Sequence, residues 1–162
     1  MAFITMTRVD ARLVHGQVVA RWIKYLNSDR IIVIDDETAN DPLMVELFRL
    51  ATPPDIKLLC WRVTQAVMEW ENNQFGEGRA ILLFKNILTA EKAWNDGIKY
   101  HDLNIGQIPK EPGRKLAYAT AYINTAEAGI LDRMSKNGVN VYFQSTPDDD
   151  QQPLELIIKN FY

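Results

Sequence analysis

The stretch RVDARLVHGQVVARW, Arg8–Trp22, contains the change from strand to helix that indicates the fold. In its first part, RVDAR, charged side chains alternate with apolar ones, which is typical of the end of a β-strand. The next apolar residues have helical spacing and line one face, namely Val18, Val19, Trp22, Ile23 and Leu26. The sequence therefore places His15 at a strand-to-helix turn, beside the positive end of the helix dipole.

Apolar runs that are too short for helices recur along the chain and predict strands. The predicted strands are Ala2–Val9, Arg30–Asp35, Ile56–Trp61, Arg79–Phe84, Asp102–Ile105, Lys115–Tyr122 and Val139–Gln144. Hydrophobicity is continuous in the middle runs, which indicates strands buried on both faces, as in a parallel sheet. The run Lys115–Tyr122 follows a turn instead of a helix, so an antiparallel direction is open for it.

Helical segments with readable ends separate most of these strands. The expected cap and stop residues are Asp41 with Pro42, then Thr89 with Gly97, then Thr125 with Gly138, and a last helix is expected over Pro153–Asn160. Because strands and helices alternate, we predict an α/β fold. It is an open, mostly parallel, doubly wound sheet of about seven strands with helices on both faces.

Composition and charge narrow the class of protein. A chain of 162 residues with 47% hydrophobic residues is the size of one domain, so residues 1–162 are predicted to form a single domain. The net charge of -3 and the lack of a long basic run argue against nucleic acid as a partner. The single cysteine, Cys60, cannot form an internal disulfide and fits a reducing cytosol. No apolar run approaches the roughly 18 to 20 residues of a membrane span, so we expect a cytoplasmic, soluble protein.

His15 combines several features of a residue that accepts phosphate. It lies at the predicted carboxyl end of a strand, where ligands bind in such sheets. Asp10 can orient its ring, and Arg12 can hold an anion. Gly16 and Gln17 lie in the first helical turn, which leaves amide donors unpaired for a phosphate. A neutral imidazole is a good nucleophile toward phosphorus at neutral pH, so this turn predicts phosphoryl chemistry.

His101 is the only other histidine. It precedes the predicted strand Asp102–Ile105 and therefore lies at the entry end of that strand, away from the expected site. We interpret His101 as an ordinary structural or surface residue.

The acidic group Asp35, Asp36 and Glu37 has two interpretations of about equal weight, a polar loop after a buried strand or a functional site. Together with Asp10, these aspartates would suit a magnesium site like that of receiver domains. Such a site needs a further acid at the end of the third strand, where Cys60 stands. We therefore predict no metal site here.

Other ligand signals are weak. The chain has no GxxxxGK[ST] motif, and its one Gly-x-Gly, Gly76–Gly78, precedes a strand instead of opening a helix. Two classes of function stay open on the residues alone. One is a phosphoryl-transfer enzyme, and the other is a non-catalytic phosphate- or nucleotide-binding α/β module or a receiver-like signalling domain.

Four stretches resemble the IIB subunits of sugar phosphotransferase systems of the mannose, fructose and sorbose family. The first, Arg8–Trp22, is similar to the family hallmark R-x-D-x-R-L-x-H-G-Q-V. The others are Ile31–Pro54, with its aspartate pair and Ala-Asn-Asp, Leu103–Pro109, with Asn-x-Gly, and Val141–Asp149, with Gln-x-x-Pro-Asp. The resemblance covers essentially the whole chain. Ala11 and Gln107 depart from it, where many members have an acid and a second glycine.

The resemblance implies a phosphohistidine relay. His15 would be the nucleophile that takes the phosphoryl group, Arg12 the charge that steadies it, and Asp10 a supporting residue. Spacing alone suggests Arg8 as a second cation for the phosphate, beside the amides near Gly16 and Gln17. No cofactor and no metal are expected, and the family resemblance favours Nδ1 of the ring as the phosphorylated atom.

The resemblance also implies partners. A phosphorylated IIA protein or domain would supply the phosphoryl group, and a sugar held by the membrane subunits IIC and IID would receive it. The protein would then be cytoplasmic and peripherally associated with those subunits. The sequence leaves a homo-oligomer open, and hexoses and amino sugars such as N-acetylgalactosamine both stay open as substrates.

Overall fold

Nine strands form the framework of the protein, for which a computed structural model describes all residues 1–162. They are β1 (Phe3–Asp10), β2 (Arg30–Ile34), β3 (Lys57–Trp61), β4 (Arg79–Phe84), β5 (Asp102–Gln107), β6 (Lys115–Tyr118), β7 (Ala121–Ile123), β8 (Asn140–Phe143) and β9 (Gln152–Pro153). Seven of them form one sheet in the order β3-β2-β4-β1-β5-β8-β9. All neighbours in this sheet are parallel except β8 and β9. The predicted open, mostly parallel sheet of about seven strands is confirmed.

Residues 115–122 do not form the single strand that the sequence predicted. Lys115–Tyr118 and Ala121–Ile123 are two short strands of an antiparallel hairpin that lies outside the main sheet. Ala119 has a φ of 52° and reverses the chain between them. Alanine rarely adopts this left-handed conformation, so the run gave no signal of a turn.

Seven helices connect or follow the strands. They are α1 (Ile23–Leu26), α2 (Asp36–Ala39), α3 (Pro42–Ala51), α4 (Val63–Asn73), α5 (Ile87–Asn95), α6 (Thr125–Lys136) and α7 (Leu154–Ile158). A π-helical turn, Val18–Trp22, runs directly into α1, and a 3₁₀ turn, Lys159–Phe161, follows α7. The expected last helix is therefore shorter than Pro153–Asn160, and Pro153 belongs to β9. None of these helices combines the length and apolar character that a membrane span requires.

The helix caps correct two predictions. Asp41 caps α3 as expected, and its carboxylate accepts the N–H groups of Leu43 and Met44. Asn86, and not Thr89, caps α5 by accepting the Thr89 N–H. Asn124, and not Thr125, caps α6, where it forms a reciprocal capping box with Glu127. In both corrections an asparagine one to three residues earlier has the stronger preference for the cap.

Two apolar clusters show that helices cover both faces of the sheet. On one face, the π-helical turn, α1 and α3 pack through residues such as Val18, Trp22 and Phe48 against β2 and β4. On the other face, α4 to α7 pack through residues such as Ala66 and Leu131 against the same strands. Strand β1 lies between β4 and β5 near the middle of the sheet. Its carboxyl end therefore lies near the middle of the row of strand ends on one side of the sheet.

Candidate active site at the end of strand β1

The loop between β1 and the π-helical turn is held tightly. The Ala11 N–H donates to Gln107 O, and the Leu13 N–H donates to Asp10 O. Leu13 has a φ of 57°, yet its side chain and that of Val14 are buried in the apolar cluster. These anchors fix the residue that follows them, and His15 O accepts the Val19 N–H at 3.0 Å. The structure thus places His15 at the strand-to-helix turn that the sequence predicted.

The ring of His15 is oriented by a buried carboxylate. Its Nε2 lies 2.8 Å from Asp10 Oδ2, and Asp10 is fully buried. The other ring nitrogen, Nδ1, has no hydrogen-bond partner and is covered. If the neutral ring donates its proton from Nε2 to Asp10, the lone pair of Nδ1 is free. Because Nδ1 is covered, a reacting group reaches it only after the ring or the atoms around it shift.

Arg8 lies behind this pair and is 1% exposed. Its Nε and Nη2 each lie 3.1 Å from Asp10 Oδ2, and its Nη1 donates to Asn104 Oδ1 and to Gln144 O. The Trp22 ring covers the guanidinium at 5.5 Å. The sequence suggested Arg8 as a phosphate ligand, but its donors are occupied by protein acceptors.

Opposing effects set the charge of Asp10. Burial raises the pKa of this carboxyl group. The hydrogen bond from His15, the charge of Arg8 and the Arg12 N–H outweigh burial, so the pKa of Asp10 lies below its ordinary value. Burial likewise lowers the pKa of the Arg8 guanidinium, and Asp10 partly offsets this. Asp10 is therefore a carboxylate at neutral pH and can orient a histidine ring.

Positive groups with no protein partner lie on the open side of the loop. Arg12 is exposed, and only its backbone N–H, which donates to Asp10 Oδ1, is engaged. The N–H groups of Gly16, Gln17 and Val18 donate no hydrogen bond within the chain. A side chain added at Gly16 would meet no atom within 4 Å. The turn therefore offers unpaired donors and open space for an anion.

The acidic group after β2 is engaged in local structure. Asp35 caps α2, and its Oδ2 accepts both the N–H and the hydroxyl of Thr38. Asp36 Oδ1 accepts the Val63 N–H. No group of three or more histidine, cysteine, aspartate or glutamate side chains converges as a metal site would require. The polar-loop interpretation of this group fits its contacts.

His101 lies at the amino-terminal ends of the parallel strands, directly before β5 and opposite the end that carries His15. Strand β5 pairs with β1 only from Arg8 and Asn104 onward, which leaves a gap beside the amino-terminal half of β1. A cavity of about 540 Å³ fills the gap and includes His101 in its lining. This cavity is larger than the cavity of about 210 Å³ that Asp35 and Lys85 line at the carboxyl ends of the strands, but His15 is not part of its lining. The chemistry of the chain, and not cavity size, locates the candidate site.

Sequence reasoning placed Gly106 and Gln144 at the carboxyl ends of strands, but it did not predict that Asn104 and Gln144 hold Arg8. Asn104 is fully buried, and it binds Arg8 through Oδ1 and Gln144 O through Nδ2. Asn104 is paired in register with Arg8 on the neighbouring strand. The available signal was an uncharged polar residue inside the apolar run Leu103–Ile105. Buried asparagine in a strand requires hydrogen-bond partners, but its partner could not be identified without the strand order.

Comparisons with known proteins identify the family of the chain. The family model of the PTS system sorbose subfamily IIB component matches residues 4–161. The sorbose-specific EIIB component of Klebsiella pneumoniae is 30% identical over 146 residues, which cover 90% of this chain and 89% of that protein. The fructose-specific EIIB component of Bacillus subtilis is 26% identical over 160 residues, covering 99% and 98%.

A solved structure shows the same fold over the whole chain. The crystal structure of manxB from Thermoanaerobacter tengcongensis superposes with a TM-score of 0.92 at 34% identity, and it covers 100% of this chain and 98% of that one. The family match spans the loop of His15, the buried Arg8–Asp10 pair and strand β5. The chain is therefore a member of the sorbose subfamily of phosphotransferase-system IIB components, the sugar-specific components that take phosphate from IIA and pass it to sugar.

Proposed function

We propose that His15 carries the phosphoryl group in this chain and that Nδ1 is the reacting atom. The Nδ1 lone pair attacks phosphorus on a phosphohistidine of IIA, and the N–P bond of IIA breaks with its electrons returning to that ring. In the second step a sugar hydroxyl oxygen attacks phosphorus and releases its proton to water, while the Nδ1–P bond breaks and its electrons return to the His15 ring. Protons, electrons and phosphate balance in both steps without a cofactor.

One observation carries this proposal, the unequal use of the two ring nitrogens. Nε2 is hydrogen-bonded to Asp10, whereas Nδ1 has no partner. A carboxylate that accepts the Nε2 proton fixes the tautomer in which Nδ1 is nucleophilic, and it stabilises the positive ring that forms on phosphorylation. A buried structural histidine would use both nitrogens.

Arg12 and the first helical turn would hold the phosphoryl oxygens. Arg12 is the exposed guanidinium in the loop, and a guanidinium can bind two phosphoryl oxygens at once. The unpaired N–H groups of Gly16 and Gln17 lie at the positive end of the helix dipole. Arg8 takes a different role from the one that spacing suggested, because it is buried against Asp10 and holds that carboxylate in place.

The partners follow from the family. Phosphotransferase-system IIB components work with IIA and with the membrane subunits IIC and IID. We propose that this chain meets phosphorylated IIA in the cytoplasm and then associates peripherally with IIC and IID, where the sugar is held. The sugar is a hexose or an amino sugar.

The direct test is labelling with phosphate from purified phospho-IIA. We expect an acid-labile, base-stable phosphoprotein whose ³¹P signal is that of an Nδ1-phosphohistidine. His15→Ala should fold and remain unlabelled. His101→Ala is the matched control, because His101 lies at the amino-terminal ends of the strands, far from His15. This variant should be labelled like the wild type. Labelling that persists in His15→Ala would refute the proposal.

A further inference from the structure

Strand β5 provides the space in which the Arg8 guanidinium lies. An ideal Cβ built on Gly106 would lie 2.1 Å from Arg8 Cζ, 2.3 Å from Nη2 and 2.4 Å from Nη1. Heavy atoms do not approach so closely, so any side chain at Gly106 would displace the guanidinium. Gly106 has no left-handed φ, and glycine is therefore needed here for space and not for its backbone conformation.

The Arg8 guanidinium is enclosed by protein atoms, so it cannot shift without losing contacts. It is 1% exposed and lies beneath the Trp22 ring. Its Nη1 is 2.6 Å from Asn104 Oδ1 and 3.1 Å from Gln144 O. Moving it away from Gly106 would break these bonds or those to Asp10, with no solvent nearby to replace them.

Displacement of Arg8 would affect His15 through one atom that both residues contact, Asp10 Oδ2. Arg8 Nε, Arg8 Nη2 and His15 Nε2 all lie within 3.1 Å of Asp10 Oδ2. The other oxygen, Oδ1, is held by the Arg12 N–H. When the guanidinium moves, Oδ2 loses its charged partners and the ring loses a fixed acceptor.

We infer that Gly106 and Asn104 are positioning residues for the phosphoryl transfer, which set the place of Arg8 and through it the tautomer of His15. This inference rests on the proposed role of His15. Neither residue touches the phosphoryl group. Gly106 provides the volume that the guanidinium occupies, and Asn104 provides the acceptor that keeps it there.

The central experiment compares Gly106→Ala with Gly129→Ala. Gly129 lies in helix α6, and a Cβ there would meet only the Tyr162 hydroxyl, at an ordinary 3.8 Å. We expect Gly106→Ala to fold and to take phosphate from phospho-IIA about 10²-fold more slowly, because small misplacement of reacting groups costs that much. Gly129→Ala should react at the wild-type rate. A wild-type rate in folded Gly106→Ala would overturn the inference.

A double substitution tests whether the effect passes through Arg8. Arg8→Met removes the atoms that the new Cβ would strike, so Gly106→Ala in the Arg8→Met background should slow transfer by less than about twofold further. If the two losses instead multiply, Gly106 acts by another route and the inference fails.

Asn104→Ser, which is too short to reach Nη1, covers the case in which Gly106→Ala does not fold. It should slow transfer at least about tenfold, and a wild-type rate in this folded variant would also overturn the inference.

A readout on the free protein separates this inference from the proposed function. In wild type, ¹⁵N NMR should show His15 protonated at Nε2 and unprotonated at Nδ1, whereas Gly106→Ala should show mixed tautomers. An unlabelled wild type would refute the phosphocarrier role even if the tautomer shift is seen. A labelled wild type together with an unchanged tautomer in Gly106→Ala would refute the positioning role alone.

Discussion

Strands β1 and β2 flank β4 in the sheet, and aspartates stand at the carboxyl ends of both. The two ends differ in what those carboxylates bind. At the end of β1, Asp10 binds two ionisable side chains, Arg8 and His15. At the end of β2, Asp35 and Asp36 bind the N–H groups of Thr38 and Val63. The first arrangement orients a histidine ring, and the second caps a helix and holds a loop.

An acid after a strand therefore indicates a functional site only through the groups that it binds. Backbone N–H groups need an acceptor in any fold, so a carboxylate that serves them is explained by structure alone. A buried carboxylate between a guanidinium and an imidazole is costly to desolvate. Such a pair suggests a function that the surrounding fold does not require.

The largest difference between the two ends should appear in the rate of phosphoryl transfer after Asp→Asn substitution. Asp10→Asn removes the charge that orients His15 and binds Arg8, and we expect transfer from phospho-IIA to fall about 10²-fold. Asp36→Asn keeps the oxygen that accepts the Val63 N–H and should react like wild type. Equal losses in both variants would remove the contrast between the strand ends.

A smaller effect is expected at the open side of the β1 loop. Arg12→Lys keeps the charge but loses the planar pair of donors, so transfer to sugar in membranes should slow about tenfold. Arg21→Lys is the control, because Arg21 is a surface residue of the following helix that pairs with Asp148. If Arg12→Lys and Arg21→Lys both match wild type, Arg12 does not hold the phosphoryl group.

At the end of β2 the expected effect is on stability. Asp35→Ala removes the α2 cap and leaves the Thr38 N–H and hydroxyl without their acceptor. The free energy of unfolding should fall by about 1 to 2 kcal/mol, which chemical denaturation measures. Transfer by the folded variant should stay within about twofold of wild type. Lost transfer at unchanged stability would make Asp35 part of the active site.

Acid should remove part of the stabilisation that Asp10 provides. The folded-state pKa of Asp10 is lowered from the ordinary value of 3.8. The stabilisation is therefore full above that ordinary value and is lost as the pH falls through the folded-state pKa. Urea unfolding of wild type and Asp10→Asn should show a stability gap that narrows as the pH falls below about 4. A gap that widens in acid would contradict the assigned charge.

No effect at all is expected from removing divalent ions. The carboxylates after β2 accept hydrogen bonds from backbone donors, and we propose Arg12 and the free amides as the positive groups for the phosphoryl oxygens. Excess chelator should leave transfer from purified phospho-IIA to His15 unchanged. A rate that collapses with chelator and returns with magnesium would make the β2 end a part of the chemistry and cancel its contrast with β1.

The sequence was informative where local chemistry decides the structure. Buried strands such as Arg79–Phe84 have continuous apolar runs, and Asp41 followed by Pro42 is a strong helix start. His15 was found at its turn because strand and helix periods meet there. The prediction that Thr125 caps α6 was wrong, although the sequence contained the correct signal. Asn124 stands three residues before Glu127, which is the spacing of a capping box.

The role of Arg8 could not be predicted, because it depends on residues far along the chain. Asn104 and Gln144 approach it only after β5 and β8 take their places beside β1. Spacing showed a second arginine near the histidine but gave no sign that it points into the sheet. For the same reason the sequence did not show that the Arg8 side chain occupies the space beside Gly106, because the two residues are far apart in the chain.

The short edge strand β9 has a consequence for how copies of the protein behave beside one another. An open sheet edge exposes unpaired backbone groups that can recruit a strand from another molecule and begin aggregation. Strand β9 covers β8 with only two residues, and one of them is Pro153, which has no N–H to donate. Strand β9 therefore offers few donors to a further strand, which lowers the risk of aggregation on this side of the sheet.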